Sequence, residues 1–332
     1  MSLRSPYTAS MLLAVLLLTT MAASLFLGYA PLGIEEVFQG MLGVGDERYV
    51  FIVQDIRAPR IVLGAMVGGS LGLAGAAIQG LLRNPLADPS VIGVSSSAGL
   101  GAVVAIYYGF AASSAIFVPV FAIGFAIAAM LVLVWLAGKD ASILTLILAG
   151  VAISSLAAAL TSLAMNLSPN PFSLNDIILW LLGSLANRSF TELWIAGPFM
   201  VAGWVLLLAT ARALPSLSLG EDAAASLGVD LRRVRLQTVF GAAFAVGGGV
   251  AVSGAIGFVG LVAPHLVRPL VGHDPGRLLV PSALAGALLL VLADIGVRTI
   301  PGDAELKLGV VTALLGAPFF LWLIIYTRRS MR

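Results

Sequence analysis

Eight stretches of this chain contain no Asp, Glu, Lys or Arg: residues 5–34, 61–82, 89–138, 141–175, 193–211, 236–267, 278–293 and 308–327. Inside a bilayer every backbone amide must find its partner within its own segment, so a crossing is a helix of about 20 residues. The run 89–138 holds two such crossings, and Gly247-Gly248-Gly249 with Gly254 divide the run 236–267 into another pair. Ten spans result, at roughly 9–29, 60–82, 91–110, 115–137, 142–165, 191–211, 236–254, 256–271, 279–297 and 308–327. With 60% apolar residues, 10% charged residues and a mean hydropathy of +1.06, the chain lies outside the soluble range. The expectation is an all-α polytopic membrane protein in which residues 1–332 form a single transmembrane domain. The stretch 9–29 is long enough to span and lacks a clean small-residue cleavage site, so it reads as a first helix rather than a signal peptide.

Ten spans bring both termini to one face, and the cations divide unevenly between the two faces. Arg4, Arg83, Lys139, Arg212, Arg232, Arg233, Arg235, Arg268, Arg277, Arg328, Arg329 and Arg332 share the face of the termini. Arg48, Arg57, Arg60, Arg188, Arg298 and Lys307 fall on the other. The positive-inside bias assigns the richer face, with both termini, to the cytoplasm of a multi-pass protein in the cell membrane. A net charge of +2 is too small to imply nucleic acid, and the absence of cysteine leaves the redox compartment unread.

One stretch breaks the apolar pattern. "LSLGEDAAASLGVDLRRVR", residues 217–235, holds six of the 34 charged residues. Ser218 stands three residues before Glu221, the spacing of a capping box, which predicts a helix starting there. Ala223, Ala224 and Ala225 favour helix, Glu221 and Asp222 complement its positive end, and Gly228 supplies a left-handed stop. Asp230 is placed to cap a second helix that opens with Arg232, Arg233 and Arg235 and runs into the membrane. Two readings stay open on these residues alone: a solvated loop helix with basic anchors, or a docking element for a soluble partner.

"RAPR", residues 57–60, puts two arginines on the cation-poor face. Pro59 suits the first turn of a helix, which spaces Arg57 and Arg60 about one turn apart. They serve either an acidic partner or lipid headgroups. Asp294 and Arg298, four residues apart, are placed to pair locally. In span two, Gly64, Gly68 and Gly72 recur every fourth residue and make a bare ridge for close helix packing, inside the bundle or between copies. A shift of 179 residues matches positions 67–85 to 246–264 at seven of 19 sites, in spans that run in opposite directions, the form of an inverted repeat. Ser95, Ser96 and Ser97 open span three and either allow close backbone approach or line a wet path.

The two histidines, His265 and His273, have no Cys or clustered carboxylates around them, which argues against a haem or metal site. Gly138-Lys139 is followed by Asp140 and lacks the upstream glycine, so no phosphate-cradling loop is present and the chain does not itself bind ATP. Only Asp294 is a candidate for an ionisable group within a span, so active transport would draw its energy from elsewhere.

Six stretches then carry a resemblance: "RAPR", "GLAGAAIQGLLRNPLADPSVIGVSSSAG", "SLGEDAAASLGV", "GAIGFVGLVAPHLVRPLVGHDPGRLLVPSALAGA", "LADIGVR" and "LGVVTALLGAPFFLWLI". In their order and spacing, from about residue 50 to 327, the chain resembles the FecCD-type permeases of ATP-driven importers for iron-siderophores, haem and cobalamin. The resemblance implies a homodimer, an ATP-binding cassette ATPase dimer beneath it and an extracytoplasmic substrate-binding protein above. ATP and Mg would then bind the partner ATPase, and no cofactor this chain. It implies a coupling helix pair over 218–235, with Ser218, Leu219, Gly220, Glu221, Ala224, Leu227 and Gly228 at the ATPase cleft. It implies that Arg57, Arg60 and Arg298 meet acidic residues of the binding protein, and that residues 173–185 form a short outer gating helix. Iron(III)-siderophore is the expected cargo, with cobalamin, haem or an oxyanion as alternatives. A stand-alone secondary carrier or channel, and a purely structural subunit, are the readings from other classes.

Overall fold

The computed structural model describes residues 6–138, 143–168, 170–300 and 305–330, so Arg4, Lys139 and Arg332 of the charge count above lie outside it. Its principal helices are, in chain order, α1 (Pro6–Ser24), α2 (Ile34–Leu42), α3 (Glu47–Leu82), α4 (Val94–Tyr107), α5 (Phe117–Ala137), α6 (Ile143–Asn166) and α7 (Pro171–Leu181). They continue as α8 (Phe190–Ala209), α9 (Glu221–Ser226), α10 (Leu231–Ser253), α11 (Val259–Val267), α12 (Pro275–Thr299) and α13 (Leu308–Ser330). Among the described residues seven helices are long and apolar enough to cross a membrane, and three shorter apolar ones cover Val94–Tyr107, Val259–Val271 and Leu308–Leu323. The protein is an all-helical polytopic membrane protein.

Helix α3 begins well before the span expected at residue 60. Phe51–Arg57 form a π-helical turn in which the Ala58 N–H donates to the Val53 carbonyl, so Pro59 lies within a continuous helix instead of at a free start. The wider turn relieves the clash a proline ring makes with the carbonyl four residues back.

α3 is the central post, packed against α12, α10, α11 and α8. Its glycine ridge faces α12: a methyl group at Gly68 would run into the Gly286 carbonyl, and one at Gly72 into the Ser282 carbonyl. Gly75 meets the backbone of Gly260 on α11 in the same way, whereas Gly64 meets only side chains, those of Leu185 and Val291. Close packing, which replaces the hydrophobic drive that lipid cannot supply, is thus used inside the subunit. Of the two echoing segments the first lies mainly in α3, while the second runs from α10 across the break into α11: Val67 packs beside Gly249 of α10 and Gly75 beside Gly260 of α11. By contrast, α6 and α13 turn Leu148, Leu156, Leu163, Leu314, Leu321 and Trp322 outward.

Span eight is helical only in part. α10 stops at Ser253, residues 254–258 are non-helical, and α11 with the 3₁₀ turn Arg268–Val271 completes the passage. Irregular backbone at such a position is tolerated only where protein or a wet cavity satisfies it. Here the Ser184 N–H donates to the Ser253 carbonyl at 2.7 Å, and Ser95, Gly257 and Phe258 line a 350 Å³ recess. Ser97, two residues on and round the helix, is buried instead.

Candidate functional site

The polar island folds into three short pieces. Leu214–Leu217 is one helical turn, α9 follows it, and Asp230 caps α10 by accepting the Arg233 N–H at 3.0 Å. Gly228 stands at φ 83°, the left-handed stop anticipated from the sequence. The capping box at Ser218 does not form. Its hydroxyl donates to the Pro215 carbonyl at 2.6 Å, closing the preceding turn. Gly220, at φ 111°, takes the N-cap position of α9. A residue so extended at position 220 turns the chain away before a hydroxyl at 218 can reach the Glu221 amide. The same S-x-x-E signature does form a box at Ser189–Glu192, where the Ser189 N–H donates to the Glu192 carboxylate at 2.9 Å.

Glu221, freed from capping, pairs with Arg235 at 2.9 Å, bracing α9 against α10. Leu219 and Leu227 are 69% and 65% exposed at the two ends of α9, while Gly228 has open space around it. Ala224 is fully buried. It faces the bundle because a six-residue helix can turn only one stripe outward, so it packs α9 in place and is not a residue that meets a partner. The arrangement is a small rigid helix with two apolar residues set out from the surface.

On the opposite face Arg57, Arg60 and Arg298 lie inside the subunit, at 3%, 7% and 5% exposure. Arg60 grips Asp294, with Nε at 2.9 and 3.1 Å from its two oxygens, and also bonds Glu305. Arg298 Nε lies 3.0 Å from the other side of Asp294, and its terminal nitrogens reach the Leu27 carbonyl and the Ser24 hydroxyl. Arg57 donates to the carbonyls of Leu25 and Ala30. These guanidiniums therefore do not stand out for a protein outside. They pin the chain that follows α1 and the segment before α13 onto α3 and the end of α12. Glu305 was not anticipated, since nothing in its spacing links it to residue 60.

The short helix after α6 runs over Pro171–Leu181 rather than 173–185, with Asn170 capping it by accepting the Ser173 N–H at 2.8 Å. Proline at its first position and Gly183 after its end account for both limits.

Among the described residues, seven long and three shorter apolar helices are arranged with a glycine-lined post at their centre and one small braced helix at the surface, an architecture that fits a membrane transport subunit. The comparisons with known proteins agree. The chain is 36% identical over 328 residues to the Fe(3+)-citrate import system permease protein YfmE of Bacillus subtilis, covering 98% of this chain and 97% of that one. It is 43% identical over 275 residues to the cobalamin import system permease protein BtuC of Halobacterium salinarum, covering 82% of this chain and 73% of the relative. Other relatives are named for hemin and for molybdate import. A metal-chelate type ABC transporter solved in an inward-facing conformation superposes with a TM-score of 0.85 at 34% identity, over 97% of this chain and 99% of that one. The protein is an ABC transporter permease subunit and not itself an ATPase. It belongs to the FecCD transport family, whose model matches residues 15–326.

Proposed function

We propose that this permease imports iron(III)-siderophore complexes, working as a homodimer by alternating access and driven through α9. The observation that carries the coupling assignment is the pair of exposed leucines, Leu219 and Leu227, flanking a helix that is braced by Glu221–Arg235 and stopped by Gly228. Burying apolar side chains of this size against a partner contributes roughly 1.5–3 kcal/mol each, while the brace transmits displacement of α9 to α10. ATP binding in the partner closes the ATPase pair, α9 moves with it, and the central path changes the side to which it opens. The outward apolar faces of α6 and α13 suit a second copy. Iron chelate cargo is supported by the Fe(3+)-citrate relative and by the metal-chelate transporter of the same fold.

On the outer face, Arg57, Arg60 and Arg298 serve the substrate-binding protein indirectly, by holding the surface on which it lands. The positive-inside bias supports a cytoplasmic position for α9 and the termini.

Proteoliposomes holding the chain with its ATPase and binding protein should take up iron(III)-siderophore only when ATP is supplied. Gradient-driven flux through the chain alone would replace this reading with a secondary carrier.

A further inference from the structure

Of the six cations on the face opposite the island, Arg57, Arg60 and Arg298 are held by side-chain bonds, and two of the others share one recess. Neither Arg188 nor Lys307 has an ion pair or a side-chain hydrogen bond among the described residues. Arg188 Nε is closed off from solvent without an acceptor, and so is the indole N–H of Trp180. Burial holds the Arg188 guanidinium below its usual range although Glu192 lies near enough to raise it. These three side chains line one recess of 230 Å³, together with Asp176, Ser184 and Asn187. The recess is built where α7 ends, where the chain turns toward α8, and where α13 begins. A bond from the Gly309 N–H to the Gly183 carbonyl at 3.3 Å ties these parts together.

The chemistry of the lining is one-sided. It offers two cations, an indole N–H, a hydroxyl and an amide, against one exposed carboxylate, Asp176. A guanidinium Nε and an indole N–H closed off without acceptors cost free energy until something negative and oxygen-rich enters. Planar guanidinium matches the two oxygens of a carboxylate, and lysine adds a point charge. The volume admits a carboxylate arm or a small oxyanion, and is below the size that encloses a whole drug-sized ligand.

We propose that this recess is an anion site at the outer mouth of the transport path, receiving the anionic oxygens of a negatively charged chelate or oxyanion. The proposal rests on the importer reading above and narrows its cargo to anionic species, iron(III) carboxylate chelates among them. The recess stands where α7 ends and α13 begins, and α13 carries one of the outward faces assigned to the second copy, so two such sites would flank the path.

The test uses the full chain in nanodiscs of phosphatidylcholine, with heat unfolding followed at constant ionic strength against citrate, ferric citrate and molybdate. A saturable rise in the unfolding midpoint is expected with at least one of these anions. It should be lost in the double variant Arg188→Gln, Lys307→Gln. Asp176→Asn, which removes the opposing charge, should lower the half-saturating concentration about threefold. This second variant decides the matter if the first does not fold, because an unchanged half-saturating concentration overturns the proposal. So does the absence of any saturable rise, or an equal rise in the wild type and the double variant. Nanodiscs containing phosphatidylglycerol supply the lipid arm: a rise with that lipid and none with the free anions makes the ligand a headgroup and also overturns it. ATP-dependent uptake by the wild-type complex is read separately. Its absence beside intact citrate binding removes the importer reading and leaves the anion site standing.

Discussion

Arg60 and Asp294 are 234 residues apart in the chain, yet Arg60 Nη2 lies 2.7 Å from Asp294 Oδ1, with both side chains buried. Asp294 is also the counter-ion of Arg298. Replacing Asp294 with Ala leaves two guanidiniums in a dry site, which should cost about 3–5 kcal/mol of stability. Glu305→Gln should cost less, about 1 kcal/mol, because that carboxylate is partly solvated. Chemical unfolding in detergent measures both. A loss below about 1 kcal/mol for Asp294→Ala would show that the buried pair is not what holds these helix ends together.

The close approach of α3 to α12 sets a second expectation. Gly72→Ala places a methyl group within the Ser282 carbonyl, so the helices must part, at a cost of about 1–3 kcal/mol or more. Gly124→Ala on α5 meets nothing within 4 Å and should be neutral or stabilising by about 0.5–1 kcal/mol. Unfolding midpoints for the pair, compared with wild type, check the contrast, and equal effects would contradict the packing.

Gly228 has open space around it, so substitution there is limited by the backbone and not by contact. At φ 83° a β-branched residue is strained and asparagine is tolerated. Gly228→Val should therefore reduce ATP-driven uptake and the stimulation of ATP hydrolysis by binding protein, while Gly228→Asn keeps both. If the valine variant transports as the wild type does, the stop does not carry the coupling.

Leu219 and Leu227 are exposed, so converting either to Asp should change the stability of the isolated chain by no more than about 0.5 kcal/mol. Affinity for the ATPase should fall more than about tenfold, equivalent to about 1.4 kcal/mol. Co-purification against ATPase concentration reads this directly. Unchanged affinity in both variants would move the contact to another surface.

How much of this was legible in the chain differs from one place to the next. The break between α10 and α11 was marked by glycines at 247–249 and 254, and the helix does end beside Gly254. The pairing of Asp294 with Arg298 followed from a spacing of four. Ser218 misled because two S-x-x-E signatures compete for the same rule, and only the backbone at Gly220 distinguishes them. Arg188 and Lys307 carried no motif at all, since their meaning is a shared recess assembled from segments more than a hundred residues apart.

The sequence by itself determined that the chain crosses a membrane many times and roughly where, because hydrocarbon forces each span to satisfy its own backbone and so makes the span a local property. It likewise determined the stop at Gly228 and the cap at Asp230, which involve only near neighbours. Tertiary structure alone decided which charges are buried in pairs, which stand unpartnered in a recess and which glycines are pressed against another helix. Those outcomes depend on distances between segments remote in the chain, and an ion pair or a backbone contact exists only once the helices have taken their places.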